Sequence, residues 1–152
     1  MDIKPVDLRD LEDELFRTFL LNNFDRRYVV DGGRLLEAIL ASGGQILKSE
    51  GPDRDHVNYD VSVFEAGTDR AFWENPRFLM YCYVTHMPGP FYGRALLVEG
   101  CSSAEEFVRF FHANVRRAIF DVDALVLGLT TRQLLIVTHY GVVALVQGPP
   151  HA

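Results

Sequence analysis

Leu8, Leu11, Leu15, Phe16 and Phe19 recur every three or four residues, the spacing of one helix face, and predict a first helix over 7–21. Acidic side chains crowd its first turns, where the helix dipole favours them, and Asn22-Asn23 is a natural stop. A second helix is predicted from Asp31, a good N-cap. It carries Leu35, Leu36, Ile39 and Leu40 on one face before Gly43-Gly44 ends it. Residues 1–45 are thus expected to form a helical hairpin.

Beyond Gln45 the period shortens. The stretch from Ser49 to Asp55 is polar and turn-rich, and Val57, Tyr59, Val61 and Val63 alternate with polar neighbours, which predicts a half-buried strand over 56–64. Residues 67–76 read as a loop or a short turn of helix. Residues 78–86 are apolar or aromatic at nearly every position and predict a well-buried strand. Met87-Pro88-Gly89-Pro90 must turn, because two prolines cannot continue a central ladder, and residues 92–99 return as the partner strand.

The third helix has the fullest set of signals. Ser102 and Ser103 are each followed three residues later by Glu105 or Glu106, so a capping box is available in either register. Phe107, Phe110, Phe111, Val115, Ala118 and Ile119 make one apolar stripe. Three strands are expected to follow, over 124–127, 133–139 and 142–147, the last two joined by a tight turn at Tyr140-Gly141. The expected order is α-α-β-β-β-α-β-β-β in a single domain over 1–152, with 46–148 supplying the sheet and one long helix. Hairpin-length connections between strands build an antiparallel sheet with helices on one face, a two-layer α+β architecture.

Composition narrows the function. The chain has 152 residues, 48% hydrophobic and 24% charged, which predicts a folded globular chain rather than a disordered or coiled-coil one. Fifteen basic against 21 acidic residues give a net charge of −6, which argues against a nucleic-acid grip built on phosphate neutralisation. Two cysteines, Cys82 and Cys101, are too few for a disulfide scaffold. The opening Met1-Asp2-Ile3-Lys4-Pro5 lacks a signal-peptide pattern, and runs such as Leu134–Val137 fall far short of the ~20 residues that span a bilayer. A cytoplasmic protein with no membrane partner is expected.

Catalytic signals are sparse. Cys101 precedes the third helix, whose N-terminus could lower a thiol pKa, with His86 or His139 as a base. A packing role for a short buried cysteine is the plainer alternative. Cys82 and His86 share one face of a strand, yet neither C-x-x-C nor H-E-x-x-H occurs, so no metal is expected. Asp53, Asp55 and His56 complete no calcium loop, and Gly32-Gly33 and Gly43-Gly44 complete no phosphate-binding motif. No cofactor is expected.

Aromatic residues are the remaining signal. They number 18 and crowd the stretch from Phe72 to Tyr92. If Met80 and Cys82 face the helices, Tyr81 and Tyr83 face the other way, onto a sheet face that a two-layer domain leaves uncovered. Tyr81, Tyr83, Phe91 and Tyr92 would then form an amphipathic platform for a protein partner or a second copy of the chain, although strands favour tyrosine in any case. Exposed acids such as Asp53, Asp55, Asp60 and Glu74 would steer a basic partner. The expected function is a non-enzymatic protein–protein interaction module: an adaptor, a regulatory subunit or an immunity-type inhibitor. The alternative is a small-molecule sensor or cysteine/histidine-dependent enzyme, its pocket lined by Cys82, His86, Cys101 and His139.

Overall fold

The structure is a computed structural model and describes residues 2–6, 37, 40–41, 43–50, 59–83, 95–115, 123–138 and 143–147. Seven strands form one antiparallel sheet: β1 (Asp2–Val6), β2 (Ile46–Glu50), β3 (Arg77–Tyr83), β4 (Ala95–Glu99), β5 (Asp123–Gly128), β6 (Gln133–Val137) and β7 (Val143–Gln147). Their order across the sheet is β1-β4-β3-β5-β6-β7-β2. Among the described residues three helices run unbroken: α1 (Tyr59–Gly67), α2 (Arg70–Trp73) and α3 (Ala104–Val115). The α+β class and the antiparallel sheet agree with the sequence reading.

Strand pairing sorts the side chains into two faces. Phe78 stands opposite Val98 and Gly128, Met80 opposite Leu96 and Val126, and Leu135 opposite Leu145, so these residues share one face. On it, Phe64 of α1, Phe72 of α2, and Phe107, Phe110 and Phe111 of α3 join Phe78, Met80, Val126 and Leu135 in one buried cluster. Phe72 lies with ring centroids 4.9 Å from Trp73 and 5.1 Å from Phe78, and Phe107 lies 5.4 Å from Phe64 and 5.9 Å from Trp73. Tilted and edge-on pairs of this kind contribute about 0.5–1.5 kcal/mol each beyond their burial. The aromatic residues thus hold the three helices to the sheet.

In helix α3, Ser103 takes the N-cap position of one of the two expected registers, and the return bond from Glu106 goes to the residue before it. Ser103 Oγ accepts from the Glu106 N–H (3.1 Å), while Glu106 Oε2 reaches back to the Ser102 N–H (2.9 Å). The Ser102 backbone and hydroxyl hold the Glu106 carboxyl below its usual pKa. Helix α2 matches the expected short turn: Asp69 Oδ1 caps it by accepting from the Phe72 N–H (2.8 Å). Asn75, next along the chain, is buried and clamps the β5–β6 turn. Its Oδ1 accepts from the Thr130 and Thr131 N–H groups (2.9 and 3.0 Å), and its Nδ2 donates to the Phe72 carbonyl (2.8 Å). Gly128 makes room for the clamp, since a Cβ there would lie 2.4 Å from Asn75 Nδ2.

Four expectations need correction. The strand expected over 56–64 is replaced by helix α1 from Tyr59. Buried Val63, Phe64, Gly67 and Thr68 follow helical spacing, with Glu65 and Ala66 exposed between them. Residues four apart satisfy a period of two and of 3.6 alike, so the short valine alternation misleads. Second, β1 is a strand within the stretch expected to form a helical hairpin, and β2 runs into the turn-rich stretch expected from Ser49. Third, the sheet face away from the helices is not open. Leu125, Leu127, Leu134, Ile136, Ala144 and Val146 on that face are all 2% exposed or less. Fourth, Leu40, expected on an apolar helix face, is 44% exposed. The expected helix over 7–21 and the turns at 87–90 and 140–141 lie outside the described residues. Of the expected second helix, residues 37, 40 and 41 are described, and all are helical. Gly43 ends it as expected, with φ of 93° and its N–H on the Leu40 carbonyl (3.2 Å).

Candidate functional site

Tyr81 and Tyr83 lie on β3, paired with Leu125 and Asp123. By register they belong to the face away from the helices, as the alternation predicted. Their neighbours there, Leu79 and Leu125, are 9% and 1% exposed, so the premise of an open platform fails. The side chains of Tyr81 and Tyr83 lie outside the described set, as do Phe91, Tyr92, Asp53 and Asp55 entirely. Glu74 is exposed and pairs with Arg70 at 2.8 Å.

Cys101 sits where expected, two residues before the N-cap of α3, with different chemistry. It is 2% exposed, and its thiol donates to the Ser103 carbonyl at 3.7 Å. Burial pushes its pKa up to about 11, and the nearby Glu106 carboxylate acts in the same direction. Desolvation outweighs the hydrogen bond with the Ser103 backbone, which keeps the thiol protonated at pH 7. Cys82 stands on β3 opposite Ala124, and His86 and His139 lie outside the described residues. Of the expected cysteine–histidine set, Cys101 is the one member whose side chain is described.

A hollow of about 590 Å³ opens between α2 and the start of α3, lined by Trp73, Asn75, Pro76, Cys101, Ser102 and Ser103 among others. Its main polar side chains already have partners. Asn75 holds the β5–β6 turn, the two serines serve the α3 cap, and Trp73 Nε1 donates to Thr68 Oγ1 (2.7 Å). A catalytic pocket needs polar groups that converge on a substrate. Deeper in the fold, Gln133 Oε1 is the one buried side-chain oxygen or nitrogen without a partner among the described residues, while its Nε2 donates to Asp69 Oδ2 at 3.2 Å. No group of three or more histidine, cysteine, aspartate or glutamate side chains able to hold a metal occurs among the described residues.

The edge strand β2 is the place where the structure departs most from a closed core. All five of its residues are exposed. Leu40, Ile46 and Leu47, at 44%, 45% and 42%, are the large exposed hydrophobics among the described residues, and they fall within eight positions of one another. Leu47 is the extra residue of a bulge: Ile46 pairs with Val146 and Lys48 with Leu145, which leaves Leu47 without an opposite number on β7. Lys48 Nζ donates to the Thr68 carbonyl (3.2 Å) and ties the strand to the end of α1. An edge strand carries backbone N–H and C=O groups ready to template another strand. Sequence reading missed these residues. No local signal marks them: two apolar residues between a glycine stop and a turn-rich stretch are too short a run to predict a strand.

No family model, curated protein or solved structure matches the chain. Among the described residues no helix is long and apolar enough to cross a membrane.

Proposed function

We propose that this chain is a non-enzymatic protein–protein interaction module of the cytoplasm, of the adaptor, regulatory-subunit or inhibitor kind, and that it meets its partner along the open edge of β2. One observation carries the proposal: a sheet buried on both faces in its middle leaves Ile46 and Leu47 in water at one edge, six and seven positions after exposed Leu40. Strand addition at such an edge draws affinity from main-chain hydrogen bonds and specificity from the flanking side chains. Asp53 and Asp55 follow β2 within a few positions and would add acidic steering to the same contact. Tyr81 and Tyr83 are weaker anchors than the sequence suggested, because their register neighbours are buried. The cysteine-dependent alternative loses ground with a Cys101 thiol that stays protonated.

A photo-crosslinking side chain in place of Leu47, compared with one in place of exposed Arg109 on α3, tests this in cells of the source organism. An adduct of one defined mass at position 47 and none at position 109 is expected. Equal, diffuse labelling at both positions, or none at 47, would overturn the proposal.

A further inference from the structure

The geometry points to a second copy of this chain as the occupant of the β2 edge, paired antiparallel with Ser49 facing Ser49 across a two-fold axis. The inference rests on the interaction-module reading and names its partner. A two-fold axis perpendicular to a sheet admits only registers in which some residue faces itself. With Lys48 on the axis two ammonium groups would meet, and with Glu50 on the axis two carboxylates would meet. Like charges directly opposite disfavour strand pairing. With Ser49 on the axis, Lys48 of each copy faces Glu50 of the other, so the strand is complementary to itself twice over.

The sheet pairing supports this register. Lys48 pairs with Leu145 and Glu50 with Val143, which places both on the helix-bearing face, while Ser49 pairs with Ala144 on the other. In a continuous sheet about such an axis, each face meets its own kind, so the Lys48–Glu50 pairs form on one side. Lys48 keeps its hydrogen bond to the Thr68 carbonyl and has two further N–H donors for a carboxylate. Exposed Leu47 adjoins the outer end of each Lys48–Glu50 pair. This register sets three residues of each β2, Lys48 to Glu50, against one another, so the contact is small and the association is concentration-dependent and weakened by salt.

Sedimentation of the purified chain from about 1 µM to about 1 mM tests the inference. The wild type, Lys48→Glu, Glu50→Lys and an equimolar mixture of the two variants are compared. Wild type is expected to shift from monomer to dimer. Each single variant places like charges opposite one another twice and is expected to pair at least about tenfold more weakly. Their mixture regains the dimer, since the copy with carboxylates at both positions then meets the copy with ammonium groups at both. Glu50→Lys leaves the Lys48–Thr68 contact in place, so its result does not depend on that anchor. A monomeric wild type throughout, or single variants that pair as well as wild type, would overturn the inference. A monomeric wild type together with a Leu47 adduct of another mass would reject the second copy alone; the absence of any adduct would reject the interaction edge as well.

Discussion

Strands β6 and β2 each have five residues and lie two places apart in one sheet, yet they do opposite things. Gln133–Val137 of β6 is buried at every position, with Leu135 and Val137 against the helices and Leu134 and Ile136 on the opposite face. Ile46–Glu50 of β2 is exposed at every position. The difference lies in what each contributes. Removing β6 from water stabilises the fold on two faces, whereas β2 holds its place through the ladder to β7 and the Lys48–Thr68 hydrogen bond. The other edge, β1, shows that exposure alone does not make a contact surface. Its Ile3 packs against the core, Asp2 and Lys4 are charged, and Pro5 has no N–H to offer, which are common ways of blunting an edge. The β2 edge has no proline and carries two exposed aliphatic side chains.

The largest effect separating the two strands is expected at the centre. Leu135→Ala removes a fully buried side chain and should cost about 2–5 kcal/mol in chemical unfolding. A loss below about 0.5 kcal/mol would mean that β6 is not the core strand it is taken to be.

A smaller effect belongs to Cys101 and has a definite pH window. Its pKa is raised to about 11 in the folded chain against an ordinary 9.0, so folding favours the protonated thiol. The stability from this preference is fully present below about pH 9 and is lost as pH rises through 11, an expected fall of about 2 kcal/mol. Cys101→Ala should flatten that part of the stability profile. Thiol-selective labelling at neutral pH should stay slow until the chain unfolds. Fast labelling of Cys101 would restore the cysteine-dependent alternative.

The smallest effect on stability belongs to the edge. Leu47→Asp should change unfolding free energy by no more than about 0.5 kcal/mol, because the side chain is exposed, while abolishing association. A large loss of stability would place Leu47 in the core and erase the contrast with β6.

What could be read from sequence follows the same divide. Helix α3 was legible because Ser103, Glu106 and the Phe107–Phe111 stripe signal its start and its buried face together. Strands β5, β6 and β7 were legible because burial on both faces demands nearly continuous apolar runs. Edge strands carry no such demand. Asp2–Val6 and Ile46–Glu50 owe their extended form to partners far along the chain, Leu96 for Pro5 and Val143 for Glu50 among them, and no local pattern announces those partners. Helix α1 was misread because Tyr59, Val61 and Val63 fit an alternation shorter than a helical turn pair. The candidate contact was missed for the same reason as β2 itself: Ile46 and Leu47 are two apolar residues between a glycine stop and a turn-rich stretch, too few to set a period.

Amide hydrogen exchange, followed strand by strand at low and high protein concentration, puts the contrast to its most direct test. Amides of β6 should be strongly protected at both concentrations, and those of β1 unchanged between them. Those of β2 should gain protection as concentration rises, because a second strand then covers the outward N–H groups. Unchanged β2 exchange over a concentration range in which the chain associates would place the contact elsewhere and contradict the assignment of the β2 edge.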